Sequence, residues 1–377
     1  MKLKIVAEAS IPYLRGTAEV LGEVCYLPNE DFSPKTISEA DVLIVRSITK
    51  CTKELLSGSR VRLICTATAG FDHIDTDYCQ RQGIAWRTAA GCNASAVAQY
   101  VFSCLSSLVR QGTVDDLRGK TIGIIGVGQV GTHVKQIALA LGMQALCYDP
   151  PRGTREGNEN FATMGEILHQ SDIITLHTPL SRGGKHPTYH LVDRVFLHAL
   201  KRKPVLINAA RGAVCDTKAL IDAYKSNSLS ALVCDCWEKE PAIDRELIRI
   251  CNIATPHIAG FSADGKSNGS RMSLESIADY FGLPFNAGGR IHPPAPQMPT
   301  IDLEQLRNQY PNINPIYTAL LHTLDLSDTD RALRSDPGRF EEIRKSYRHP
   351  REPLAFSVLG GNSNERETLR KIGFQLG

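Results

Sequence analysis

Lys120-Thr-Ile-Gly-Ile-Ile-Gly126-Val-Gly128-Gln129-Val130-Gly131 is the stretch that decides the fold. An apolar, β-branched run ends in a glycine turn, and a helical pattern from Val130 to Leu141 follows it. The glycine pattern alone is a weak signal, but between a strand and a helix it reads as a dinucleotide-binding turn. Gly126 permits the tight turn, Gly128 lets backbone amides approach a pyrophosphate, and Gly131 lets the helix pack on the strand. The helix N-terminus adds free N–H donors and positive potential for the phosphates. Asp149 ends the next strand, Ala145 to Tyr148, 21 residues after Gly128. There it can accept from both ribose hydroxyls and repel a 2′-phosphate, which predicts NAD rather than NADP. Gly126, Gly128, Gln129, Val130, Gly131 and Asp149 are therefore candidate cofactor contacts. Arg152 and Arg155 nearby could accommodate a phosphate but read better as solvated loop charges.

Outward from this turn, Ile173 to His177, Val205 to Asn208, Leu232 to Asp235 and Asn252 to Ala254 read as further strands. Before it, strand-like runs at Leu3 to Ala7, Asp41 to Arg46 and Arg62 to Ala67 alternate with helical segments such as Thr52 to Leu56 and Thr76 to Gln82. The alternation predicts an α/β protein with parallel sheets covered by helices. A long helical pattern follows Asn93, with an apolar face through Val97, Val101, Leu105 and Leu108, and carries the chain into the glycine-turn domain. Ser270 to Phe281 reads as a helix returning to the first domain. Glycine and proline cluster from Ala287 as in a linker, and the tail beyond has its own helices and a strand at Leu354 to Leu359. The expected domains are residues 1–95 completed by 268–286, then 96–267, then 287–377.

With 377 residues, two or three domains are expected. A net charge of +3 gives no electrostatic case for nucleic acid, and no apolar run approaches the roughly 20 residues of a membrane helix. The first residues read as a strand rather than a signal peptide. The 11 cysteines include no Cys-x-x-Cys spacing. Several, such as Cys65, Cys104 and Cys147, lie in apolar runs, so they read as structural thiols in a reducing cytoplasm, with no metal site.

Oxidising an alcohol beside a carboxylate needs a base that titrates near neutrality, a carboxylate to orient it, and a cation for the substrate's acid group. Three segments offer these groups just after strands: Asn208-Ala-Ala-Arg211-Gly, Cys236-Trp-Glu-Lys-Glu240-Pro and Thr255-Pro-His257-Ile-Ala-Gly260. His257 is the candidate base, Glu240 its orienting acid, and Arg211 the fork for the carboxylate. Thr178, in Thr178-Pro-Leu after a strand, reads as a nucleotide contact, and Asp235 as a partner of the nicotinamide amide or a loop cap.

These segments resemble the signature of the D-2-hydroxyacid dehydrogenase superfamily. Arg46-Ser47-Ile-Thr, Thr66-Ala-Thr68-Ala-Gly, Ala90-Gly-Cys-Asn-Ala, Tyr148-Asp149-Pro-Pro-Arg152 and Thr175-Leu-His-Thr178 narrow the resemblance to the 4-phosphoerythronate dehydrogenase family. The resemblance implies a Rossmann-type NAD-binding domain, a flavodoxin-like substrate (lid) domain and a small C-terminal α+β dimerisation domain, hence a homodimer. It implies Arg211, Glu240 and His257 as catalytic and Ser47 and Thr68 as substrate contacts, with Asp149, Thr178, Asp235 and Gly260 on NAD. The implied reaction is oxidation of 4-phospho-D-erythronate at C2, in pyridoxal phosphate synthesis. The phosphate of that implied substrate needs cations; Arg46 is one candidate, and Arg344, Lys345, Arg348 and Arg351 in the tail are others, reaching across a dimer or simply forming a solvated basic face. Phe261 stands where that family usually has a substrate-contacting tyrosine, and Gln99 where a glutamate is common. The rival readings are a dehydrogenase of phosphoglycerate or glycerate, and an NAD-sensing protein without turnover.

Overall fold

The structure, a computed structural model, describes residues 2–286 and 291–377. The expected linker at Ala287 therefore lies partly outside the described residues. Contacts divide the chain into two units, Met1–Asn93 with Ser262–Pro294, and Ala94–Phe261 with Ala295–Gly377.

The first unit holds β1 (Leu3–Glu8), β2 (Gly22–Leu27), β3 (Val42–Val45), β4 (Leu63–Thr66) and β5 (Ala85–Thr88). They form one parallel sheet in the order β2-β1-β3-β4-β5. β3 and β4 are buried along their whole length, as expected of parallel strands covered on both faces. The order reverses between β1 and β3, which makes the carboxyl ends of these strands the natural place for a ligand. The return helix spans Ala263–Phe281, seven residues longer at its start than the sequence pattern suggests. Gly265 and Gly269 hide its beginning. A Cβ on Gly269 would come within 2.6 Å of the Ala67 carbonyl oxygen, so the helix needs glycine there to lie on the chain after β4. Ser262 caps it, accepting from the Gly265 N–H at 2.7 Å.

The second unit holds β6 (Thr121–Ile125), β7 (Gln144–Tyr148), β8 (Ile173–Leu176), β9 (Val205–Asn208), β10 (Ala231–Cys234) and β11 (Ile253–Ala254). Their order is β11-β10-β9-β8-β6-β7, all parallel, with the reversal between β6 and β8. The tail adds β12 (Thr300–Asp302), β13 (Ser357–Leu359) and β14 (Gln375–Leu376), a second parallel sheet. A short 3-10 turn, Pro353–Ala355, occupies the start of the strand expected from Leu354.

The tail, expected as a third domain, shares a core with the nucleotide-binding sheet. Ile316, Leu320, Phe356 and Val358 pack in the same apolar cluster as Val101, Leu105 and Ile124. Arg334 donates to the carbonyls of Ile248 and Cys251, each at 2.7 Å, and Asp330 accepts from the Ala254 N–H at 2.6 Å. Gln99, 1% exposed, gives its amide N–H to Thr323 Oγ1 at 2.9 Å and to the Arg351 carbonyl at 3.0 Å. A carboxylate cannot make those two donations, which explains glutamine at this position.

Candidate active site

The glycine turn is built as the sequence predicts. Gly126 has φ +89°, and a Cβ there would meet the His177 carbonyl carbon at 2.7 Å and the Thr178 nitrogen at 2.9 Å. A Cβ on Gly131 would lie 2.2 Å from the Gly126 carbonyl oxygen, whereas one on Gly128 would meet nothing within 4 Å. Gly128 is thus the open face of the turn. It precedes the helix Gln129–Ala140, whose N-terminus has no side-chain cap, so its N–H groups remain available to phosphate. Beside Gly126, Thr178 Oγ1 and His177 Nδ1 are sealed from solvent and have no hydrogen-bond partner among the described residues. Burial drives the His177 pKa down to about 3, and its Nε2 contacts Thr175 Oγ1 at 2.9 Å. Orphaned polar atoms beside an open, uncapped glycine turn fit a bound dinucleotide. Asp149 stands at the end of β7, as expected, and its carboxylate is already engaged by the N–H groups of Val127 (2.8 Å) and Arg152 (3.0 Å). Arg152 is turned to Glu156 and the Val127 carbonyl.

Arg211, Glu240 and His257 follow β9, β10 and β11. His257 Nδ1 lies 2.8 Å from Glu240 Oε2, while Glu240 Oε1 accepts from the Trp237 N–H at 2.8 Å. His257 Nε2 has no hydrogen-bond partner among the described residues. Burial acts to raise the Glu240 pKa. The hydrogen bond and charge of His257, the Trp237 N–H and the Arg344 guanidinium outweigh it and hold the carboxyl below its ordinary value. The pair is therefore a carboxylate that orients an imidazole and leaves the far nitrogen open.

The loops are braced by residues the sequence reading did not assign. Asn208, 2% exposed, donates to the carbonyls of Arg211 (3.2 Å) and Cys236 (3.4 Å). A Cβ on Gly212 would fall 1.9 Å from the Trp237 carbonyl, so the loop after Arg211 rests directly on the loop that carries Glu240. Tyr100, Thr255 and Asp235 form a buried chain, with oxygens 2.7 and 2.6 Å apart. Asp235 also accepts from the N–H groups of Ile258 (2.8 Å) and Ala259 (2.9 Å). It thus pins the turn running from His257 to Gly260, the loop-cap reading of this residue. Glycine and asparagine in Asn208-Ala-Ala-Arg211-Gly212 were the visible signal for this bracing; the partners across the fold were not.

Cys236 Sγ, Glu240 and His257 offer atoms within 4.8 Å of one another. The thiol donates to the Ala210 carbonyl at 3.3 Å, and burial holds its pKa well above the ordinary value, so it is a poor metal ligand. Phe261 lies in this unit, its ring 5.8 Å from that of His349.

Arg46, Ser47 and Thr68 belong to the first unit, just after β3 and β4. The buried Glu8 carboxylate holds the first loop, accepting from the Arg46 N–H (3.0 Å) and Thr49 Oγ1 (2.9 Å). Thr68 Oγ1 is linked to Thr66 Oγ1 at 2.7 Å, which in turn meets His73 Nε2 at 3.0 Å.

Residues 103–259 match the NAD-binding domain of the D-isomer specific 2-hydroxyacid dehydrogenases. Two solved structures are similar: an NAD-bound 3-phosphoglycerate dehydrogenase from Entamoeba histolytica and an Aquifex aeolicus D-lactate dehydrogenase with NAD and lactic acid. The first has a TM-score of 0.64 at 26% identity, covering 75% of this chain and 96% of that one. The second has 0.62 at 27%, covering 74% and 96%. Fold and site thus define an NAD-dependent 2-hydroxyacid oxidoreductase. Over nearly its whole length the chain is similar to two proteins named erythronate-4-phosphate dehydrogenase. That of Porphyromonas gingivalis is 53% identical over 99% of this chain and 100% of its own, and that of Bacteroides thetaiotaomicron 44% over 95% and 99%. The chain belongs to the erythronate-4-phosphate dehydrogenase family.

Proposed function

We propose that this protein oxidises 4-phospho-D-erythronate at C2 to (R)-3-hydroxy-2-oxo-4-phosphooxybutanoate, a step of pyridoxal 5′-phosphate synthesis. The observation that carries the chemistry is the Glu240–His257 pair with its open Nε2. NAD, when bound, supplies the hydride acceptor. His257 Nε2 takes the hydroxyl proton as the hydride leaves C2, and Glu240 holds Nδ1–H and stabilises the imidazolium that forms. Arg211 forks onto the substrate carboxylate and polarises the developing carbonyl. Gly126, Gly128, Gln129, Val130, Gly131, Asp149, Thr178, Asp235 and Gly260 are the proposed NAD contacts; Asp235 can add only one acceptor position to those it already uses. In the first unit, Arg46, Ser47 and Thr68 are the proposed substrate contacts, with Phe261 contributing an aromatic face without a hydroxyl. The family resemblance supports a homodimer formed through the tail.

Ten of the 11 cysteines are buried, as small apolar side chains of the core, which suits a reducing cytoplasm. Among the described residues, no helix is long and apolar enough to cross a membrane.

Purified protein with NAD and a panel of 4-phospho-D-erythronate, 3-phosphoglycerate, glycerate and lactate tests the assignment through NADH absorbance. The phosphoerythronate should give the highest kcat/KM. Turnover of phosphoglycerate alone would replace the substrate, and NAD binding without turnover of any acid would make the protein a sensor.

A further inference from the structure

The tail helix Phe340–Ser346 brings a cation to the catalytic histidine of its own chain. Arg344 Nε donates to the His257 carbonyl oxygen at 3.3 Å, and its guanidinium carbon lies over the Phe261 ring, 5.4 Å from the centroid. Arg344 is half-buried, and among the described residues it makes no ion pair and no other hydrogen bond. A guanidinium carries five N–H donors in a planar fork, so four remain unused. Phe261 offers the guanidinium a cation–π contact on one side. Lys345 and Arg348, by contrast, are exposed and fit the solvated reading.

An arginine beside a histidine that must become an imidazolium is electrostatically unfavourable for that step unless an anion joins it. The Glu240 carboxylate, whose pKa the Arg344 charge helps to lower, is already committed to the His257 imidazole. The substrate carboxylate is assigned to Arg211, on the β9 side of the site. The phosphate is the one remaining anionic group of a four-carbon phosphorylated 2-hydroxy acid, at the opposite end from the carboxylate. We propose that Arg344 receives the substrate phosphate and selects phosphorylated over unphosphorylated 2-hydroxy acids, so that the tail completes the substrate site of its own subunit. This rests on the substrate reading above. It also gives Phe261 a role as the platform for the guanidinium, one that needs a ring face and no hydroxyl.

The test compares wild type, Arg344→Met and Arg344→Lys with 4-phospho-D-erythronate and D-erythronate. In Arg344→Met the ratio of kcat/KM for the phosphorylated over the unphosphorylated acid should fall about 10–100-fold, chiefly through KM, the range for one lost charge-assisted contact. Arg344→Lys should restore part of that ratio. Equal losses on both acids, or no change in the ratio, would overturn the inference. Inorganic phosphate, read as a thermal shift of the NAD-bound protein, separates this inference from the substrate assignment. Wild type should be stabilised by phosphate and Arg344→Met much less so, whichever acid is turned over. Equal stabilisation of both proteins would also overturn it.

Discussion

The loop from Cys236 to Glu240 supplies the carboxylates of two histidine–carboxylate pairs, and the two differ in how the imidazole's other nitrogen is placed. Glu238 Oε1 lies 2.7 Å from His190 Nε2, and Glu240 Oε2 lies 2.8 Å from His257 Nδ1. Burial does not tell them apart: the histidine side chains are both 28% exposed, the carboxylates 20% and 21%. Backbone does not either, since both histidines sit at positive φ, +50° and +56°. What differs is the second nitrogen and its surroundings. His190 Nδ1 lies 3.8 Å from Asp216, and the Tyr189 ring covers its face at 4.0 Å. His257 keeps Nε2 open and has Arg344 on its own carbonyl. An imidazole held between two carboxylates is a brace; one with a single carboxylate and an open nitrogen can pass a proton. Pair geometry alone is therefore a poor sign of catalysis in this fold.

The largest expected effect separates the pairs outright. His257→Ala should lower kcat by about 10³–10⁴-fold, in the upper range for loss of a general base. NAD affinity, measured by fluorescence titration, should stay close to wild type, whereas equal loss of both would make His257 structural. Glu240→Gln keeps the shape but loses the charge that stabilises the imidazolium, and stopped-flow turnover should drop about 10²–10³-fold. On the other side of the loop, His190→Ala should change kcat by only about threefold or less, because the brace acts through loop position. A loss comparable with that of His257→Ala would erase the distinction.

Stability against pH gives the subtlest comparison. Burial acts to raise the Glu238 pKa, but hydrogen bonds from His190 and Thr217 hold it below the ordinary value, as His257 and its neighbours do for Glu240. A carboxyl with a depressed folded pKa stabilises the fold above its unfolded value. That contribution is lost as pH falls through the folded value, which lies below the ordinary glutamate value. Urea unfolding of Glu238→Gln should therefore show a flatter dependence on acid pH than wild type. An unchanged slope would mean that the His190 pair contributes nothing to the fold.

Much of the nucleotide-binding unit was legible because its signals are local. The glycine turn, Asp149 after the next strand and the runs that became β6, β8 and β9 each declare themselves within a few residues. Arg211, Glu240 and His257 were legible as residue types after strands. Their bracing was not, because Asn208, Tyr100, Thr255 and Asp235 meet only through the fold. β2 and β5 were missed: much of each strand is only half-buried, so their patterns are mixed. The tail's packing was the least legible. Its proline- and glycine-rich entry looks like a domain boundary, while the apolar residues that join it to Val101 and Leu105 are spread from Ile301 to Phe374. Arg344 was visible as one of several basic residues, and only its carbonyl and ring partners single it out.

The central claim is that hydride leaves C2 of a phosphorylated 2-hydroxy acid while His257 takes the hydroxyl proton. Turnover of 4-phospho-D-erythronate deuterated at C2, with mass analysis of the reduced nucleotide, tests it most directly. One deuterium per molecule of NADH formed is the predicted result; unlabelled NADH, or no reduction of NAD, would contradict it.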